Sequence, residues 1–471
     1  MLRPEPCPSR RRVLIGGVGA AAFALIGGAC AADADPPAGV RAGRAGRAPV
    51  PGPAGVVRTS WSTEAHSLGS YSYLAVGADP TMRNALATSV DDVVWFAGEA
   101  TSAEHPATVH GARQSGASVA EAIHAVADGS QDVVVIGAGV AGARAAHDLH
   151  SAGHRVIVVE ARSTAGGRTR AIRPEGWPVP VELGASWVHD TDASDLADRL
   201  GDLGVATATF TYDDVVLSSA GERTRADGLD ATPADAVKAS IEWADGRADD
   251  VSLADALEGS GEADGVDAVA LDHFLRTELT TEYGADASEI SARWGLAEGT
   301  EGNDLLVTGG YAALAEHELA GLDARYGWVV GSVVIRDGAA VVTSVDGQEL
   351  RADRVVVTVP LGVLKAAAIT FDPPLPADKQ GAIDALGMGV LDKVWLRWDE
   401  PWWTEEAEQW TLVTASDEPY VEWFNLLPAT GEPVLLGLIG GRLARTWAGR
   451  TDDEVVTASL RTLQAFADAG W

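Results

Sequence analysis

Residues 131–168 read QDVVVIGAGVAGARAAHDLHSAGHRVIVVEARSTAGGR, and the fold can be worked outward from them. The run 133–136 is an unbroken string of β-branched residues, the pattern of a parallel strand buried on both faces. It stops at Gly137, Gly139 and Gly142. The first glycine permits a tight turn, the second lets backbone approach a pyrophosphate, and the third lets the next helix pack close to the strand. The helix opening at Val140 and Ala141 aims unpaired N–H groups at such a ligand. A second strand over 155–159 ends in Glu160, about 20 residues on, where an acid is placed to bind a ribose hydroxyl. Glycines alone are a weak signal. Strand, glycines, helix, strand and acid together predict a dinucleotide-binding, Rossmann-like α/β domain.

The 471 residues suit two domains, and 46% hydrophobic with 22% charged residues is ordinary globular composition. A formal net charge of −33 argues against nucleic acid as a partner and draws small cations toward the surface. Solubility, or a high-salt habitat, would explain the same charge. The only cysteines, Cys7 and Cys30, lie in an N-terminal stretch that reads as a leader, so no disulfide, zinc cluster or thiol nucleophile is expected in the mature chain. His105 and His110, with no clustered acids or thiols, give no expected metal site.

Glu160, Ala161 and Arg162, followed by Gly166, Gly167 and Arg168, form EARxxxGGR, which resembles the flavin-binding signature of the flavin amine oxidases. The resemblance implies FAD, with Arg168 as a fixed cation near the pyrophosphate. It extends to VELGASWVHD over 181–190, whose Gly184, Ala185, Ser186 and Trp187 would lie beside the flavin. The family usually has glycine where Asp190 stands. NDLLVTGGYAAL (303–314) and ADRVVVTVPLGVLK (352–365) resemble the family's return to the cofactor domain, with Val333 or Val334 between them meeting the adenine. Segments that close the chain elsewhere in the family here come first: GSYSYLAVGAD (69–79), VVWFAGEATS (93–102) and HPATVHGARQSGASVAEAI (105–123). The sequence is therefore similar to a circularly permuted amine oxidase, newly joined between Ala125 and Gln131. A helix from Thr108 to Ala125 rising 1.5 Å per residue would carry the chain to that join. Completion of a neighbouring molecule by swapping is the competing arrangement.

The expected organisation is an export signal over 1–31, a flexible linker over 32–56, a cofactor domain from 57–190 and 300–370, and an α+β substrate domain from 191–299 and 371–471. The 193–300 stretch reads as mainly helical. The signal rests on Ser9 and Arg10–Arg12 before an apolar run too short to span a bilayer. It is of twin-arginine type, and implies an extracellular or cell-envelope location. Cys30 is open either to nearby cleavage or to lipidation.

From the family, Lys393 is expected to hold a water next to the flavin, His189 to face the substrate, and Tyr71 to stand at the flavin's face. Thr108 replaces a second tyrosine, and Gly98, Glu99, Thr108 and Val109 would touch the flavin. No cysteine is near Tyr71, so FAD is expected to be held non-covalently. The implied activity is oxidation of a primary or secondary amine to an imine and aldehyde, with oxygen reduced to peroxide. An L-amino-acid oxidase and a non-catalytic FAD-binding protein are the alternatives.

Overall fold

The computed structural model describes residues 48–192, 194–218, 221–297 and 302–471. The expected leader and most of the linker lie outside the described residues. The glycine-rich stretch sits at the centre of a five-stranded, all-parallel sheet in the order 323–326, 155–160, 132–136, 354–357, 94–96. Alternation along these strands divides the core. Val133, Val135, Val156, Val158 and Val356 pack under a helical layer that includes Val109–Val126 and Val140–Ser151. Val134, Ile136, Val159, Val355 and Val357 face a four-stranded sheet built from 330–336, 339–344, 349–352 and 370–372. Burial on both faces is why these strands read as continuous apolar runs.

The strand Val94–Phe96 and the helix Val109–Val126 precede the glycine turn in sequence, yet complete its sheet and its helical layer. Thr108 caps that helix, accepting from the Gly111 amide at 3.0 Å. Just before the strand 132–136, His154 Nδ1 accepts from the Gln131 amide at 3.1 Å, and Ser130 Oγ donates to Gly153 O at 2.8 Å.

A seven-stranded sheet forms the second body, in the order 55–58, 391–397, 434–440, 422–425, 409–413, 214–218, 223–224. One face carries Trp410 and Trp423, which share a core with Phe466 of the helix Asp452–Ala469, with Trp471 after it, and with Ala444 of the helix Gly441–Trp447. The other carries Trp395, Phe424, Leu436 and Leu438 together with Trp187. Helices over 232–283 form a cap with its own core around Val237, Leu253 and Ile290.

Two expectations change here. The last residues of the supposed linker are packed: Val50 N donates to Gln464 Oε1 at 2.8 Å, Trp398 Nε1 donates to Pro51 O at 2.8 Å, and Gly55–Arg58 is a strand. That strand pairs with Leu391–Arg397, so residues 57 and 58 join the seven-stranded sheet rather than the cofactor sheet. Within 193–300 the helices are interrupted by the strands Thr207–Phe210 and Asp214–Ser218.

Candidate active site

A cavity of about 570 Å³ runs from the carboxyl ends of the parallel strands to the aromatic face of the seven-stranded sheet. This is the crevice where open α/β sheets bind ligands. Gly137, Gly139, Val140 and Ala141 line one end. A side chain at Gly139 would enter open space, and the helix it precedes has no side-chain cap, so its first amides face the cavity unmasked. Gly142 stays outside the lining and serves packing: a Cβ there would lie 2.0 Å from Gly137 O. Gly166 bridges to Gly139, and Gly167 leans on it, which sets the GGR turn across the glycine loop.

Glu160 lines the same end, its carboxylate accepting from the Ala138 and Arg162 amides, both at 2.8 Å. Two bonds leave lone pairs for a hydroxyl. Ala161 and Arg162 are also in the lining, and Arg162 pairs with Glu64 and donates to Ser67 Oγ at 3.0 Å. The open backbone cradle, the anchored acid and the helix N-terminus together fit a dinucleotide.

Arg168 lines the cavity too, and its Nη1 donates to Glu99 Oε1 at 2.7 Å and to Ser70 O at 2.9 Å. Glu99 is 4% exposed, and its other oxygen accepts from Ser72 Oγ at 2.6 Å and the Ala107 amide at 3.1 Å. Burial opposes its charge, but Arg168 outweighs it together with these bonds and holds the carboxyl below its usual range. Gly98, Glu99, Thr108 and Val109 all line the cavity. Val333 does not: it is 1% exposed in the core between the two sheets, while Val329 and Val330 line the wall instead. The valine register could not be read from sequence because every candidate sits in one β-rich run.

At the other end, strand alternation turns Lys393 to the same face as Trp395, toward the cavity. Its Nζ donates to Gly184 O and Ser186 Oγ, both at 2.5 Å, and stands 5.4 Å from the centre of the Trp187 ring. Burial pushes its pKa down to about 7, against a smaller upward pull from Glu182. Burial likewise pushes Glu182 up to about 7. Gly184, Ala185, Ser186, Trp187, His189 and Tyr71 line this end, and the Tyr71 hydroxyl donates to Thr281 O at 3.0 Å. Asp190 adopts φ 50, so the turn where the family has glycine keeps a left-handed residue.

Sequence reasoning missed Tyr212, Glu282, Tyr283 and Phe424, which also line the cavity. They come from the cap, from the second sheet and, for Tyr212, from the segment between the strands Thr207–Phe210 and Asp214–Ser218, where no motif marks them.

The sequence profile of the family described as "Flavin containing amine oxidoreductase" matches residues 43–124 and 140–469. "Polyamine oxidase 4" of Oryza sativa subsp. japonica is 30% identical over 354 residues, covering 70% of this chain and 72% of the relative. "Lysine-specific histone demethylase 1 homolog 3" of Arabidopsis thaliana is 31% identical over 406 residues, covering 70% of this chain and 25% of its own. Among solved structures, wild-type "Putrescine Oxidase" bound to putrescine has a TM-score of 0.58 at 24% identity, covering 72% of this chain and 83% of that one. That likeness carries the fold.

Proposed function

The chain belongs to the flavin-containing amine oxidases and is an FAD-dependent oxidoreductase acting on amines, and from that premise we propose a polyamine or diamine as its substrate. The observation that carries this reading is the convergence, in one cavity, of the glycine cradle and Glu160 with Lys393, His189 and Tyr71. The relatives' names favour polyamines, and Glu282 and His189 add a carboxylate and an imidazole to the lining. The arginines of the lining, Arg162 and Arg168, are paired with Glu64 and Glu99, which weighs against an amino-acid carboxylate as ligand.

Gly137, Gly139, Val140, Ala141 and Glu160 would hold FAD, which would supply the two-electron acceptor for a hydride equivalent from the amine's α-carbon, with oxygen as the final acceptor giving peroxide. Tyr71 and Phe424 supply apolar walls for the alkyl chain and exclude water from it. Lys393, with two N–H groups fixed by Gly184 and Ser186, has one remaining position on Nζ for a water in the cavity. FAD is held non-covalently in this reading, since both cysteines fall in the leader.

The permuted order is also proposed. Its support is the strand and helix of 94–126 completing the sheet of 132–160, and the residues from Val50 packing along the final helix. Linear alignment also leaves a similar remainder of both chains unmatched, with 70% of this one and 72% of the relative covered. Export by the Arg10–Arg12 signal, with or without a lipid at Cys30, stands on the sequence alone.

The test is anaerobic titration of the FAD-loaded protein with polyamines, monoamines and amino acids, followed by peroxide release in air. Polyamines should bleach the flavin most readily, and acid precipitation should release FAD into solution. A flavin that no amine bleaches overturns the reading.

A further inference from the structure

Asp304 opens the central strand of a three-stranded sheet, between Trp187–Val188 and Thr207–Phe210. His189 directly follows the first neighbour and Tyr212 follows the second by two residues, so one small sheet gathers all three side chains. Asp304 Oδ2 lies 2.8 Å from His189 Nδ1 and accepts from the Tyr212 hydroxyl at 2.6 Å. Oδ1 accepts from the Asp190 amide at 3.2 Å, bracing the left-handed turn that follows His189. Asp304 is 7% exposed and outside the lining, whereas His189 and Tyr212 are part of it.

A carboxylate only accepts, so the proton of a neutral His189 ring belongs on Nδ1 and the lone pair on Nε2. We propose that Asp304, steadied by Tyr212, is a positioning residue that fixes His189 in this tautomer, so that Nε2 accepts a hydrogen bond from an amino group of the substrate. This rests on the amine-oxidase reading above. It also makes the array a specificity device. An acceptor at Nε2 favours N–H groups and disfavours a carboxylate oxygen, whereas the opposite tautomer would do the reverse.

Asp304→Asn tests the point because the Asp190 amide needs an acceptor. The new side-chain oxygen goes to that amide, its NH₂ faces Nδ1, and the ring proton moves to Nε2. The first readout is the ¹⁵N spectrum of histidine-labelled, FAD-loaded protein without substrate, with His189 identified by its loss in His189→Gln. Wild type should carry the proton on Nδ1, and Asp304→Asn should carry it on Nε2. The second readout is anaerobic flavin reduction by putrescine. Asp304→Asn should weaken putrescine binding about tenfold or more, while the limiting reduction rate stays within about twofold. A wild-type ring protonated on Nε2 overturns the proposal, and needs no variant to fold. So does a variant that loses rate without losing affinity. If amines reduce the flavin normally but the tautomer is wrong, only this proposal fails. If no amine reduces it, the function fails first and Nε2 loses its ligand with it.

Discussion

Lys393 is 4% exposed, and its charge is opposed by burial and supported by Glu182, with both groups titrating at about 7. Such neighbours titrate as a pair. The limiting rate of flavin reduction, which is free of the substrate's own ionisation in solution, should therefore break near pH 7. Glu182→Gln removes a negative charge that favours the ammonium, so the lysine's part of that break should move to lower pH. Lys393→Met should keep bound FAD, because methionine fills a similar volume with no charge to desolvate. It should also slow reduction about 10²-fold, roughly 3 kcal/mol of barrier, by removing a preorganised group. Wild-type rates in both half-reactions would make Lys393 a structural residue. The stability consequence has a fixed sign. The unfolded lysine keeps its proton to about 10.5 and the folded one releases it from about 7, so between those values this group makes stability rise with pH. Lys393→Met should flatten that rise in a melting series. The chemistry of Lys393 was legible from its motif, but its partners Gly184 and Ser186, some two hundred residues away, were not.

At the scale of elements, the helix Val109–Val126 lies on the helix Val140–Ser151 through Gly116, where a Cβ would stand 2.2 Å from Ala141 O. The obstacle is backbone of the glycine-rich loop's own helix and cannot swing aside. Gly116→Ala should therefore push the two apart, costing about 1–3 kcal/mol as overpacking and weakening FAD retention. Gly52→Ala, with nothing within 4 Å of its Cβ, is the control and should change stability by less than about 0.5 kcal/mol. Equal melting temperatures for the two variants would remove the contact's importance. The helix itself was readable to within a residue or so from Thr108 and the apolar spacing after it. The strands Thr207–Phe210 and Asp214–Ser218 were not, being short and set among acidic residues. Asp214–Ser218 owes its strand state to a parallel partner at Gln409–Val413, which no local pattern announces.

For the whole molecule, the formal charge of −33 and a cavity edged by Glu282 favour cationic ligands. For spermidine, kcat/KM should fall about tenfold as salt rises from millimolar to well above physiological, since screening shortens the field. A flat salt profile would leave the charge to solubility. The chain order can be tested directly. Val50 lies against the final helix, and Trp471 packs in the same core as Val56. A rearranged chain starting at Gln131, with residues 48–126 joined by a short linker after Trp471, should fold and bind FAD with little change in melting temperature. Failure to bind FAD would show that the present join at 127–130 is required.

The sequence by itself determined the parallel-sheet half of this protein, because its signals are local. Buried strands on a parallel sheet are continuous apolar runs, a phosphate turn needs glycine at fixed spacing, and the ribose acid follows at the next strand's end. It also carried the motifs around Lys393, His189 and Tyr71 on which the likeness to the family rests. Only the tertiary structure decided how charge and tautomer are set within the site. The pairing of Arg168 with Glu99, of His189 with Asp304, and the cavity wall at Val329 and Val330 rather than Val333 all depend on strand register and long-range packing. A one-residue shift in register turns every side chain of a strand to the other face, and no single segment encodes the register of its distant partner.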